Sequence, residues 1–373
     1  MNLVNLKLAN FKNYTELDVD FCSNVNCFVG NNGVGKTNLL DAIYYLSFCK
    51  SYFNPIDSQN IRNEEPFFAI HGHYCDTDQD ADLQHDVSCV LKRGQVKQMK
   101  WDKKSYKTFA DHIGKIPLVI VSPNDQVLVQ GGSDMRRKFI DGVISQTNAD
   151  YLQHLLYYQK ALDQRNRLLK QFYEDRCFDA ESIRVWDDQL TIHGKVLYEQ
   201  RKEFLAAFAP LFEYYYKWIS GDKEQPRVVY ESLMNDNPDL AMLLQENHRR
   251  DSVLQYTSVG PHKDDLDFRI GDYQVKKFGS QGQQKTFLLA LKLAQFEYIY
   301  KQCGKKPILL LDDVFDKLDM LRVKQLVQLV GSDRFGQVFL TDTQFGRVEE
   351  IVKGIPSVEC KLWIVEEGRL DER

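Results

Sequence analysis

The sequence predicts an α/β fold: a mixed β-sheet that carries a phosphate-binding loop, with an α-helical lobe inserted into it. Three observations predict this. The segment Gly30-Asn31-Asn32-Gly33-Val34-Gly35-Lys36-Thr37 fits G-x-x-x-x-G-K-[ST], with a strand-like run before it and helical apolar spacing over 38–48 after it. A second apolar run, Ile308-Leu-Leu-Leu311, ends in Asp312-Asp313, the pattern of a buried parallel strand that delivers carboxylates at its C-terminal edge. Between them, 149–170 and 183–216 carry apolar residues at helical spacing over lengths suited to helices rather than strands.

Taken in order, residues 1–30 read as a strand meander. Leu3, Leu6 and Leu8 open it, Leu17, Val19 and Phe21 alternate, and Val25 begins the strand into Gly30. Further strands are expected at 67–73, 87–91, 96–101 and 118–121, with a hairpin turn at Arg93-Gly94. Residues 92–107 are strongly basic, including Lys100, Lys103 and Lys104 against the single acid Asp102. Two readings stay open there: a solvated edge protected by lysines, or a patch that contacts nucleic-acid phosphates. From 122 the character turns helical. Segment 133–143 contains Arg136-Arg137-Lys138, and Pro210 is expected to break or kink the long segment that ends near 216. The aromatic residues of this lobe, from Tyr157 to Tyr216, are expected to pack between helices rather than stack on bases. The sheet pattern resumes after 300, with a helix near 320–330 and last strands at 337–340 and 360–365. The expected division is therefore 1–121, 122–255 and 256–373.

Composition narrows the class. A hydrophobic fraction of 43% over 373 residues suits one large or two moderate globular domains. Residues 1–20 contain no signal-type apolar core and no run approaches membrane-spanning length, so a cytoplasmic protein without membrane attachment is expected. The net charge of −5 argues against a general electrostatic nucleic-acid binder, so any DNA contact must use local patches. Eight scattered cysteines without a C-x-x-C pair read as thiols in a reducing compartment. His71-Gly-His73 would share a strand face, and no metal is assigned to it.

The chemistry follows from residue types. Glycines let backbone N–H groups turn inward onto phosphate oxygens, and the helix N-terminus adds partial positive charge. Lys36 would reach the β- and γ-phosphates of ATP, and the Thr37 hydroxyl would bind Mg²⁺ opposite Asp312. Asp313 would orient or deprotonate the attacking water. A third motif, Phe278-Gly-Ser-Gln-Gly-Gln-Gln-Lys-Thr286, precedes an apolar helical run at 287–300. Alone it reads as a capped helix with a glutamine-rich first turn. After a phosphate loop and before Asp312-Asp313, Ser280, Gly282 and Gln283 resemble the signature of ABC-type ATPases, and 316–319 resembles their D-loop. In those proteins the signature of one subunit completes the ATP site of another. The resemblance implies an ABC-type P-loop ATPase head that forms a homodimer around two ATP molecules.

Several segments together resemble the RecF family of SMC-like ABC ATPases. They are Leu8-Ala-Asn-Phe-Lys-Asn-Tyr14, Gly35-Lys-Thr-Asn-Leu-Leu-Asp-Ala-Ile-Tyr44, Ser122-Pro-Asn-Asp125, Arg136-Arg137-Lys-Phe-Ile-Asp141, Gly260-Pro-His-Lys-Asp-Asp-Leu266, the Ser280 motif and the Asp312-Asp313 strand. The resemblance implies ATP-gated binding to single-stranded DNA and single–double-strand junctions, slow hydrolysis, and RecA loading with RecO and RecR in repair, replication restart and the SOS response. Arg136 and Arg137 join the lysines as candidate DNA contacts. Gln126, Asn54 and Asp342 depart from the family pattern, and no nucleotide role is carried over to them. The competing readings are a nucleotide-gated DNA clamp whose hydrolysis is incidental and an ABC transporter subunit.

Overall fold

The computed structural model describes residues 1–76, 83–222, 224–314, 334–353 and 359–373. Chain contacts divide them into two compact units, 1–125 with 292–373, and 126–291. The expected D-loop at 316–319 and the helix near 320–330 lie outside the described residues.

The first unit opens with β1 (Asn2–Phe11), β2 (Tyr14–Asp20) and β3 (Val25–Val29), followed by the helix Lys36–Phe48. It continues with β4 (Phe67–Asp76), β5 (Leu83–Lys92), β6 (Gln98–Trp101), β7 (Lys104–Ser105) and β8 (Leu118–Val121). The second unit contributes β9 (Pro226–Glu231), β10 (Asp265–Ile270) and β11 (Tyr273–Gln274). The chain then returns to the first unit with β12 (Ile308–Leu311), β13 (Val338–Asp342), β14 (Cys360–Glu366) and β15 (Arg369–Glu372).

Two sheets form the first unit. One is antiparallel, in the order β2-β1-β4-β5-β6-β7; the other runs β15-β14-β3-β13-β12-β8. In the second, only the β14–β15 pairing is antiparallel, so it is the expected mixed sheet. Strands β3, β13 and β12 are buried at every position, which explains the unbroken apolar run of β12 and the mostly apolar composition of the other two. The helix Lys36–Phe48 packs on β1, β4 and β5 of one sheet and on β8 and β13 of the other. Leu39, Leu40, Ile43, Tyr45 and Leu46 are accordingly buried around its circumference.

The second unit combines helices Ser133–Thr147, Ala149–Asp175 and Ala180–Ser220 with the three-stranded sheet β11-β10-β9. The lobe is thus not purely helical, and the contact boundaries fall at 125/126 and 291/292 rather than at 121/122 and 255/256. The reason is that β10 and β11 pair with β9, inside this unit. Pro210 does not end its helix, which runs unbroken from Ala180 to Ser220. Tyr158, Tyr198, Phe204, Phe208, Phe212 and Tyr216 are buried, so these aromatic residues serve as packing.

Two buried arginines hold this unit together. Arg165 is fully buried and pairs with Asp187 at 2.6 Å and Asp251 at 2.7 Å, tying three helices. Arg201 donates to Asp141, Asp264 and the Pro261 carbonyl. Buried ions of this kind are stable only while every partner remains, because removing one leaves an uncompensated charge. Arg165→Ala should therefore destabilise the chain by about 3–5 kcal/mol. A chemical-denaturation midpoint equal to that of the unmodified protein would contradict this.

Candidate functional site

The phosphate loop is shaped by what lies beneath it. Gly30 ends β3 so close to β14 that a Cβ there would stand 2.4 Å from the Val365 carbonyl oxygen. Gly35 has φ +117°, and a Cβ would stand 2.3 Å from Asn13 Nδ2, so only glycine fits. The β1–β2 turn acts as a buttress. Asn13 Nδ2 donates to the Val34 carbonyl at 3.0 Å, the Tyr14 hydroxyl donates to the Gly35 carbonyl at 3.1 Å, and Asn38 Nδ2 donates to Asn13 Oδ1 at 2.7 Å. No acid or side-chain cap occupies the N-terminus of helix Lys36–Phe48, so its first N–H groups remain for an anion. Asn31, Asn32 and Gly33 are exposed at the loop crest, with Val34 partly buried below. Buried Lys36 folds back over the loop, donating to the Gly30 and Asn31 carbonyls at 2.8 and 3.0 Å.

The acid strand meets the loop as the sequence implies. Thr37 Oγ1 donates to Asp312 Oδ1 at 2.9 Å. Strand β13 lies between β3 and β12, so its end is set between the loop and the acids. There Thr341 Oγ1 donates to Asp312 Oδ1 at 3.0 Å and accepts the Asp313 N–H at 2.9 Å. Asp313 has φ +46°. Asp312 is buried, and that burial pushes its carboxyl up to about 6, against the hydrogen bonds from Thr37 and Thr341. A hydroxyl beside a buried carboxylate is a hard oxygen donor set suited to Mg²⁺. Asp342 is buried beside Arg347 at 3.4 Å, and its carbonyl accepts the Gly30 N–H.

Next to the loop, Lys12, Asn13, Asn38, Asn54, Arg62 and Glu64 line a cleft of about 690 Å³. Lys12 pairs with buried Asp41 at 2.5 Å and lies near the Phe11 and Phe53 rings. Pattern reading of the loop missed Lys12, Asn13, Tyr14 and Thr341. The available signal for three of them was a polar pair, Lys12-Asn13, set between aromatic residues in the resembling Leu8–Tyr14 segment.

The remaining candidates separate. In the second unit Ser280 and Gln283 form a capping box: Ser280 Oγ accepts the Gln283 N–H at 3.2 Å, and Gln283 Oε1 accepts the Ser280 N–H at 2.8 Å. Gly282 lies between them in the first turn of helix Gln281–Cys303. Lys100, Lys103 and Lys104 are exposed on the β6–β7 hairpin, with Lys103 at its tip beside Asp102, both at positive φ. The expectation that Arg136 contacts DNA is corrected. Arg136 is buried and grips Asp265 through two bonds of 2.6 and 2.8 Å, and Arg137 donates to the Asp264 carbonyl. The Arg136 guanidinium is thus taken up inside the fold, whereas Arg137 is only partly buried. No helix among the described residues is long and apolar enough to cross a membrane.

Comparison with known proteins agrees with this geometry. The model of the RecF/RecN/SMC N terminal domain family matches residues 2–357. The chain is 50% identical over 374 residues to the DNA replication and repair protein RecF of Phocaeicola vulgatus, covering 100% of this chain and 99% of that one. It is 51% identical over 353 residues to RecF of Flavobacterium johnsoniae, covering 95% and 97%. A solved structure of the recombination mediator protein RecF-ATP in the RecFOR pathway superposes with a TM-score of 0.88 at 28% identity, covering 100% and 97%. An Smc head domain from Pyrococcus furiosus superposes with a TM-score of 0.58 at 16% identity, covering 100% and 96%, a likeness of fold alone.

The position of Asp312 has a consequence for stability. Its raised pKa means that, without a cation, the folded state holds a proton that the unfolded chain releases between about pH 4 and 6. Stability is therefore lost as pH rises through that window. Asp312→Asn should stabilise the metal-free chain by about 2–3 kcal/mol at pH 7 and by nothing below about pH 4. Equal denaturation midpoints at pH 7 would refute this.

Proposed function

Because the chain belongs to the RecF family of DNA replication and repair proteins, with the fold of an ABC-type ATPase head, we propose that it is an ATP-gated DNA-binding protein of recombinational repair and replication restart. One observation carries the nucleotide part: the contact between Thr37 Oγ1 and Asp312 Oδ1, which brings the phosphate loop and the acid strand to one point. Loop N–H groups and Lys36 would hold the phosphates of ATP, and the adjacent cleft, lined by Lys12, Asn38 and Arg62, would take the nucleoside. Thr37 and Asp312 would hold Mg²⁺, which when bound neutralises charge on the phosphates. Asp313 would position the attacking water. A carboxylate one methylene shorter than glutamate has less reach, which favours slow turnover suited to a timer.

Dimerisation follows from Ser280, Gly282 and Gln283. In the capping box Ser280 Oγ accepts a hydrogen bond and keeps its own proton to donate to the ATP of a second copy. The binding energy of the γ-phosphate would then favour the closed dimer, and hydrolysis would release it. DNA, as single strands and single–double-strand junctions, would meet Lys100, Lys103 and Lys104. RecO and RecR are the expected partners, with RecA loading and SOS induction as the outcome in the cytoplasm.

Sedimentation with ATP, with ADP and without nucleotide, each with and without gapped DNA, tests this. The unmodified chain should dimerise only with ATP. Ser280→Arg should bind ATP and stay monomeric, whereas Lys36→Ala should lose ATP binding itself. ATP-induced dimers of Ser280→Arg would overturn the trans-signature assignment. Reversing charge at Lys100, Lys103 and Lys104 together should weaken binding to gapped DNA and flatten its salt dependence by about two to three phosphate contacts. Unchanged affinity would leave the hairpin as a solvated edge.

A further inference from the structure

We propose that Thr341 is a positioning residue for hydrolysis, the hydroxyl that holds Asp312 and Asp313 in their working arrangement. The inference rests on the nucleotide reading above and adds a residue to it. Thr341 is fully buried at the end of β13. Its hydroxyl makes two bonds of opposite sense: it donates to Asp312 Oδ1 at 3.0 Å and accepts the Asp313 N–H at 2.9 Å. A hydroxyl has one proton, so accepting from Asp313 and donating to Asp312 fixes its orientation completely.

Each bond has a distinct effect. Asp313 has a left-handed backbone (φ +46°), unfavourable for an L-residue with a side chain, and persists there only if its surroundings hold it. The Thr341 oxygen supplies such a hold by taking the Asp313 N–H. This sets the direction in which the Asp313 carboxylate leaves the chain. At Asp312, Thr341 and Thr37 donate to the same oxygen, Oδ1, so the carboxylate is clamped between the loop and β13. The clamp orients a metal-holding acid through a neighbour that need not touch the metal. Strand pairing keeps Thr341 in place: in parallel register Thr341 stands beside Phe28 on β3, and Leu340 beside Leu311 on β12. The bland alternative is that Thr341 only fills space, since a β-branched residue suits a buried strand.

Serine keeps the hydroxyl and alanine removes it, so Thr341→Ser against Thr341→Ala isolates the hydroxyl, with Thr341→Val as the isosteric control for packing. In the full-length protein, Thr341→Ala and Thr341→Val should each lower kcat by about tenfold or more while KM for ATP stays within about threefold. Thr341→Ser should recover most of the rate. Independently of turnover, fluorescence titration of a nucleotide analogue should need about tenfold more Mg²⁺ for half-saturation in the alanine variant than in the serine variant. Should Thr341→Val fail to fold, the serine–alanine comparison decides alone. Equal rates and equal Mg²⁺ requirements for serine and alanine would overturn the inference and leave Thr341 as packing. If instead the unmodified chain binds no ATP, the nucleotide reading itself fails, a result separable from the first.

Discussion

Everything at the site depends on one register: the carboxyl ends of β3, β13 and β12 stop at nearly the same level. In this sheet Val29 pairs with Asp342, Phe28 with Thr341, and Leu340 with Leu311. Parallel strands stop together only if their buried runs are in phase, and each of these strands is buried along its whole length, with Asn26 as the polar interruption in β3. Where the burial ends, the polar groups begin: a glycine loop after β3, threonine and aspartate closing β13, two aspartates after β12. A slip of one residue in any strand would turn its polar terminus to the other face. The helix Lys36–Phe48, buried between two sheets, leaves little room for such a slip.

The register creates an electrostatic problem that suits a cation-dependent protein. Burying Asp312 without a counter-ion is unfavourable, and two hydroxyls and nearby Lys36 offset that only in part. Lys36, meanwhile, bonds loop carbonyls. A bound anion would draw Lys36 from those carbonyls, and a cation would satisfy Asp312, so a negatively charged ligand carrying a divalent cation meets both needs. The second unit meets a similar problem within its own fold: Arg165 pairs with Asp187 and Asp251, and Arg201 with Asp141, Asp264 and the Pro261 carbonyl.

Local patterns made the phosphate loop, the Asp312-Asp313 strand and most strands and helices legible. Strand Leu118–Val121 and the hairpin at Arg93-Gly94 fall where apolar alternation and turn chemistry place them. What stayed hidden was non-local. The sheet β11-β10-β9 joins β9 to a strand more than thirty residues later, and although Asp265–Ile270 alternates polar and apolar residues as a strand does, nothing in that segment names its partner. Arg136 read as a DNA contact because sequence shows charge but not partners; the acid that accepts it comes more than 120 residues later. Thr341 follows the expected strand at 337–340 and carries no sign of its role there. Its role needs β13 to lie between two other strands, a fact of topology that no single segment contains. Pro210 does not break its helix, which continues past the missing donor.

The segment Gly260-Pro-His-Lys-Asp-Asp-Leu266 stands apart from the loop motifs in what it does. Arg201 holds the Pro261 carbonyl and the Asp264 side chain, Arg136 holds Asp265, and His262 bridges the Tyr158 hydroxyl and the Thr257 carbonyl. Gly260 adopts φ +116°, with Tyr158 Oη 2.6 Å from where a Cβ would be. A genetic screen for lost repair would score substitutions here alongside those of the loop, yet the two classes would differ in kind. Alleles at exposed loop-crest positions such as Asn32 would leave a well-folded protein at normal abundance. Alleles of this segment would instead lower the amount of protein in the cell, behave as recessive and heat-sensitive, and yield to raised chaperone levels or to stabilising changes elsewhere.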